Sequence, residues 1–360
     1  MSEVMRAIEL HRFGAPDEAL RLNEAFPMPT LRNRDLLVRV VASSVNPIDC
    51  ARRAGYGRKI LGMRGGATLP LVLGRDVSGV VEAVGPEVTR FRAGDEIWAG
   101  ADVFRNGCWA EYVALDEEQA AAKPTQLSHE EAASIPYVAL TTWAALVGGA
   151  GLDPAGAAGK RILVHAGAGG VGSFAIQLLV AWGAHVATTC STRNVGLVKR
   201  LGAHEVIDYT QQDYADVLRD YDMVYDTLGF EAEAPSLSVL KQNAGAQYAS
   251  IVHPLMPLTD RYGLPVGALV AGATFARRKL TQRLRYGRGY HWSLFSPNGA
   301  ALEQIGKLAE EGRIHAVIDR VLPLEEIAAA NEHVESRRAQ GKVVLSLAPG
   351  GQSNPSEVAP

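Results

Sequence analysis

The chain has few cysteines. Three occur in 360 residues, Cys50, Cys108 and Cys190. They are far apart and form no Cys-x-x-Cys pair, which argues against a disulfide framework and against a four-cysteine zinc lobe. An excess of charge of either sign is also lacking. Thirty-six Lys and Arg face 39 Asp and Glu, a net charge of −3, so there is no general pull toward nucleic acid or an anionic membrane. No run of about 18 apolar residues stands out, and no membrane span is expected. The opening residues "MSEVMRAIELHRFG" hold neither an apolar signal core nor an Arg/Ser-rich leader. The expectation is a reduced, cytoplasmic protein.

What is present is ordinary for a globular enzyme: 47% apolar and 21% charged residues. The length suits two domains, each with a sizeable core. The first 140 residues are β-rich, with Val-rich runs such as "LLVRVVASSVN" and "DVSGVVEAVG" broken by Gly, Pro and Asn. "HEEAASIPYVALTTWAALV" changes to helical spacing, interrupted at Pro136. From Lys160 to about Val252, apolar strands ("RILVHAG", "AHVATTCS", "EVIDY", "DMVYDTLG", "AQYASIV") alternate with helical stretches. That alternation predicts a doubly wound parallel sheet with helical crossovers. A strand, helix and strand then return over "HAVIDRVLPLEEIAAANEHVESRRAQGKVVLSL", and a polar tail over 348–360 reads as frayed.

Gly167-Ala168-Gly169-Gly170-Val171-Gly172 follows the first of those strands and opens a helix. The first glycine permits a tight turn, the next lets the backbone approach a pyrophosphate, and the last lets helix and strand pack closely. The helix start presents N–H groups and a positive dipole end. Dinucleotide binding is therefore expected. An NAD-selective site usually ends its second strand with Asp or Glu, and none occurs between His185 and Val195. Ser191, Thr192 and Arg193 stand there instead, groups suited to a 2′-phosphate, so NADPH is the expected cofactor. Tyr209 ends the third strand, either on the adenosine side or as a half-buried strand tyrosine. Leu228, after the fourth strand, is expected against the cofactor, because ligands sit at the carboxyl ends of such strands.

These motifs carry a resemblance. Asn46, Asp49, Arg53 and Gly55 in "SVNPIDCARRAGY", then "LGRDVSGVVEAVG", "FRAGDEIWA", "AGAGGVG" and "RAQGKVVL", resemble in order the zinc-free quinone oxidoreductase group of the medium-chain dehydrogenases/reductases. "SIPYVALTTWAAL", "GAHEVIDY" and "GYHWSLF" are most similar to its reticulon-interacting mitochondrial branch and bacterial relatives. The resemblance implies an α/β chain: a GroES-like β-rich domain over 1–140 and 305–347, and a Rossmann domain over 141–304. It also implies a cleft between the domains for the nicotinamide, and a homodimer. Zinc-using relatives carry Gly-His-Glu where this chain has Gly74-Arg75-Asp76, so no metal is expected.

Several residues have two readings. Asn46 is a polar group near the nicotinamide or substrate carbonyl, or an Asx turn before Pro47. Tyr56 and Tyr137 are candidate proton donors, with water as the alternative. Thr141 matches, by resemblance, a position that meets the nicotinamide; otherwise its hydroxyl bonds its own helix. Trp292 and Phe295 lie by resemblance near the cofactor and near the edge where two Rossmann domains pair. His253 lines the pocket or is structural. Lys342 reaches toward the cleft from the last strand. The basic run Arg277, Arg278, Lys279, Arg283, Arg285 and Arg288 suits an anionic substrate, an acidic partner or a solvated helix face. The functional expectation is an NADPH-dependent, zinc-independent reductase of a quinone or α,β-unsaturated carbonyl compound. The alternatives are a dedicated biosynthetic enoyl reductase and an NADPH-binding sensor or partner-binding protein with little turnover.

Overall fold

The computed structural model describes residues 3–242 and 245–347; the tail expected over 348–360 lies outside them. Six parallel strands form one sheet in the spatial order Glu205–Asp208, His185–Cys190, Arg161–Val164, Met223–Asp226, Gln247–Ser250 and Gly289–Trp292. Central strands of such a sheet are covered on both faces and need near-continuous apolar runs. Ile162, Leu163 and Val164 supply one, fully buried. The chain reverses its lateral direction between Arg161–Val164 and Met223–Asp226, and the crevice at that switch point is where ligands bind in these sheets. The glycine turn leaves the carboxyl end of Arg161–Val164 at this place.

A second, largely antiparallel sheet centres on Asp35–Val45, which pairs with Asp76–Val84 and Tyr112–Asp116. The C-terminal return closes it: Lys342–Ser346 runs antiparallel to Asp35–Val45, with Val343 opposite Val45, and Ile318–Pro323 pairs parallel to the return. The α/β architecture of a β-rich domain plus a doubly wound domain is therefore as expected. The helical stretch breaks at Pro136, where His129–Ala133 ends and Pro136–Trp143 begins. Pro136 sits at the start of the new helix, where its missing N–H costs nothing.

One expectation needs correction. The helical run His129–Gly149 is long and apolar enough, by length and composition, to cross a membrane, although no such run stood out from the sequence. Its Ala, Thr and Gly residues masked it. Of its most apolar window 67% is buried inside the protein, as in the core helix of a globular fold. All three cysteines are free and buried.

Candidate functional site

Each glycine of the turn has a distinct steric reason. A Cβ on Gly167 would strike Thr188 Oγ1, and one on Gly172 would strike the backbone carbonyl of Ala166, so strand and helix approach too closely for side chains there. Gly169 differs: a Cβ there would meet only Ala166 O, at 3.4 Å. Its bareness is not required by the protein's own packing and leaves the turn open to a ligand. Ala168 O accepts from Gly341 N at 2.8 Å, and Gly169 bridges Gly341. The turn is thus pinned to the backbone just before the last strand of the other domain. Gly170 begins the helix Gly170–Ala181, followed by Val171. The first N–H groups of a helix have no partner within it, so this end fits an anionic pyrophosphate.

Lys342 crosses from the last strand over Gly170, where a Cβ would come within 2.8 Å of its Cδ. Its ammonium is buried and donates to Asn46 Oδ1 and, at 3.1 Å, to Asp76 Oδ2. Asp76 is fully buried and also accepts from Ser44 Oγ, from Asn46 Nδ2 at 2.8 Å and, through Oδ1, from Tyr137 N at 2.6 Å. A buried carboxylate is tolerable only when satisfied in this way.

This network changes the role of Asn46. The reading as an amide donor to nicotinamide or substrate does not hold in this geometry. Asn46 is fully buried, and its amide hydrogens point at Asp76 and, at 3.3 Å, at Asp49. Lys342 fixes that orientation, because flipping the amide would set its NH₂ against the ammonium. Asn46 is the N-cap of Pro47–Arg53, with Asp49 Oδ2 accepting from Asn46 N at 3.0 Å. It positions Asp76 and Lys342.

Beside the network, Arg75 is fully buried. Its guanidinium donates to the carbonyl of Asp102, and its Nε lies 3.9 Å from Asp49 Oδ1. Burial pushes the Asp49 carboxyl above its ordinary range, against the pull of Arg75 and Arg52. Among the described residues no group of three or more His, Cys, Asp or Glu side chains could hold a metal ion.

The junction of the domains brings three further candidates together. The half-buried Tyr137 ring stacks on Phe295, with centroids 4.5 Å apart and planes 26° from parallel. Burial, with Asp49 nearby, drives its phenol pKa upward, so the hydroxyl keeps its proton. One turn along the helix, Thr141 Oγ1 is buried with no hydrogen-bond partner of good geometry, although the Tyr137 phenol is close enough to feel it. An orphaned buried hydroxyl costs free energy unless a ligand meets it. The alternative, a hydroxyl bonded to its own helix, is instead realised by Thr142, which donates to Val138 O at 2.8 Å.

Other candidates lie apart. Tyr56 lines a small enclosed space with Phe13, Arg52, Leu61 and Leu71. Trp292 is at the end of the last parallel strand, stacked on His253 with centroids 5.3 Å apart. Its Nε1 donates to Tyr290 at 2.9 Å. That couples it to the sheet's end strand rather than to the Tyr137 cluster. His253 is buried with Nδ1 unpaired.

At the far end of the crevice, Ser191 Oγ accepts from Asn194 Nδ2 at 3.2 Å, and Asn194 in turn accepts from Gln340 Nε2 at 2.7 Å. Arg193 donates to the carbonyl of Arg338 at 2.9 Å, and an open hollow beside it is lined also by Arg320 and Arg338. Tyr209 and Leu228 are both exposed at strand ends. Asp208, which the sequence reading passed over, is aligned with Cys190, but its Oδ1 is engaged by Thr210 at 2.7 Å. Asp76 and Ser44 were also missed. The available signal was an aspartate heading an apolar strand, which demands buried partners.

Both halves of the chain match known families. The family model described as "Alcohol dehydrogenase GroES-like domain" matches residues 32–125, and that described as "Zinc-binding dehydrogenase" matches 201–345. The chain is 37% identical to "NAD(P)H oxidoreductase RTN4IP1, mitochondrial" of Homo sapiens, over 96% of this chain and 90% of that protein. It is 32% identical to the "2-methylene-furan-3-one reductase" of Solanum lycopersicum, covering 96% and 80%. The solved quinone oxidoreductase of Coxiella burnetii superposes with a TM-score of 0.78 at 31% identity, covering 96% and 99%. The mitochondrial names of the animal relatives overturn the cytoplasmic expectation and point to a mitochondrial setting. That expectation rested on the opening residues and a scarcity of cysteine, neither of which reports a compartment.

Proposed function

The chain belongs to the medium-chain dehydrogenase/reductase family, and from that premise we propose that it is an NADPH-dependent, zinc-independent reductase of a quinone or an α,β-unsaturated carbonyl compound. Its relatives make it an NAD(P)H oxidoreductase of the quinone-oxidoreductase type. When bound, the nicotinamide supplies a hydride. The open turn at Gly169 and the start of Gly170–Ala181 hold the pyrophosphate, and Thr141 offers its unpaired hydroxyl at the domain junction. Ser191 and Arg193 take the 2′-phosphate, with Tyr209 on the adenosine side and Leu228 against the cofactor. Lys342 braces the glycine turn against the Asp76 network. Tyr137, stacked on Phe295 one turn from Thr141, is the better placed of the two tyrosines to hand on a proton, although burial weakens it as an acid; Tyr56 is the second.

The observation that carries the zinc-independent reading is Arg75. It puts a buried, fixed positive charge where zinc-using relatives carry a histidine ligand, and a guanidinium repels a divalent cation instead of binding it. Without a Lewis acid to polarise a simple alcohol or ketone, the acceptor must be activated by conjugation. The relative's methylene-furanone is a substrate of that kind. The domain divisions after residues 140 and 304, and a homodimer through the open edge strand Gly289–Trp292, belong to the same proposal.

The test is oxidation of NADPH by the purified protein with a panel of quinones and enones, beside reduction of NADP⁺ with saturated alcohols, each with and without a zinc chelator. Reduction of conjugated acceptors, indifferent to the chelator, is the expected result. Alcohol oxidation that the chelator abolishes would overturn it.

A further inference from the structure

The helix Leu264–Tyr286 runs for 23 residues, yet only Gly267, Ala271 and Gln282 are buried. At about 100° per residue, Val266, Leu269, Val270, Ala273, Leu280 and Leu284 fall in one stripe roughly 100° wide. All six are exposed, Leu269 at 72% and Leu284 at 75%. The stripe faces away from the fold. The opposite side packs through Gly267 onto Thr259 of the helix Leu255–Tyr262, and through Phe275 beside Tyr290 and Trp292.

The same helix carries Arg277, Arg278, Lys279, Arg283 and Arg285 and no acid, in a chain whose net charge is −3. Arg278 pairs with Glu233. Among the described residues no ion pair engages the other four. Arg283 and Arg285 flank the stripe, and Arg277 lies within it on a long stem that can lift its charge clear of apolar surroundings. The character continues onto the neighbouring helices. Leu255–Tyr262 packs against Arg58–Gly62, and Asp260 accepts from Gly57 N at 2.6 Å and Lys59 N at 3.1 Å. Arg58, Lys59, Arg261 and Tyr262 are exposed there, next to Tyr56.

We propose that this helix docks on an anionic lipid bilayer, with its apolar stripe at the boundary of headgroups and acyl chains and its arginines on the phosphates. Charge selects this partner over the others. A two-fold pairing of copies through this face would set acid-free, cationic helices against each other. An acidic protein surface would satisfy the arginines and leave the leucines wet. A dimer through the edge strand leaves the stripe outside, because the stripe lies on the far side of the helix from the sheet. The inference stands whatever the acceptor is.

The experiment is flotation of the full-length protein with vesicles of phosphatidylcholine alone and of phosphatidylcholine with phosphatidylglycerol, at low and high salt. Binding to the anionic vesicles only, weakened by salt, is expected. The double variant Leu269→Glu, Leu284→Glu should lose at least about tenfold of that binding, and Arg283→Gln roughly fivefold. The melting temperature should stay unchanged in both, which shows that they fold. No flotation with anionic vesicles, or flotation unaltered in the variants, would overturn the proposal. So would a dimer that dissociates in the leucine variant by light scattering, since the stripe would then be a subunit interface. A failure of the acceptor reading would leave all of these results untouched.

Discussion

Asn46 and Lys342 show how a residue's role depends on distant partners. Their oxygen-to-ammonium bond joins positions 296 apart, and both meet Asp76. Nothing in "SVNPIDC" announces those partners, which is why the amide read as a ligand group from sequence. Only the turn before Pro47 was legible. Because the pair is buried, Lys342→Met should cost about 3 kcal/mol by leaving Asp76 unpaired. Urea denaturation measures it, and adding Asp76→Asn should recover part of the loss; strict additivity would mean that the two side chains do not couple. The glycines make a sharper contrast. Gly172→Ala drives a Cβ into a backbone carbonyl, whereas Gly169→Ala meets nothing nearer than 3.4 Å. Gly172→Ala should lower the melting temperature by several degrees. Gly169→Ala should melt like the parent and bind NADPH about tenfold or more weakly. Equal effects on melting would contradict the assignment of one glycine to packing and the other to the ligand.

Among the elements, those with a strong local signal were legible. Five of the six parallel strands were visible as Val- and Ile-rich runs between helical stretches, as was the glycine turn that joins the first strand to its helix. The sixth, Gly289–Trp292, was not. Four residues starting with glycine give too short a pattern, and its partner Gln247–Ser250 lies more than thirty residues upstream. Leu264–Tyr286 was read only as a basic run, because its apolar residues face solvent instead of a core. The same parallel sheet holds a pH-sensitive contact. His165 is buried at the end of Arg161–Val164, with Nε2 2.8 Å from Ser236 Oγ, and burial lowers its pKa to about 4. The folded state therefore refuses a proton that the unfolded chain accepts near pH 6.5. Its contribution is intact above about pH 6.5 and is lost as the pH falls toward 4. The urea midpoint should drop between about pH 7 and pH 5, and His165→Gln should flatten that drop. An unchanged slope in the variant would assign the acid sensitivity to other groups.

At the scale of the whole molecule, the C-terminal return makes two domains into one site. Gly341 holds the glycine turn by its backbone, and the next residue, Lys342, spans the junction to Asp76. The order of motifs made that architecture legible, whereas the closing contacts depend on packing between residues hundreds of positions apart. An NADPH site whose second strand ends without an acid is tested by kcat/KM for NADPH and for NADH with the best conjugated acceptor, in the parent and in Arg193→Ala. The expected result is a strong preference for NADPH that Arg193→Ala reduces by about tenfold or more through the NADPH value alone. Equal use of the two cofactors by the parent, or a variant that loses both equally, would contradict it.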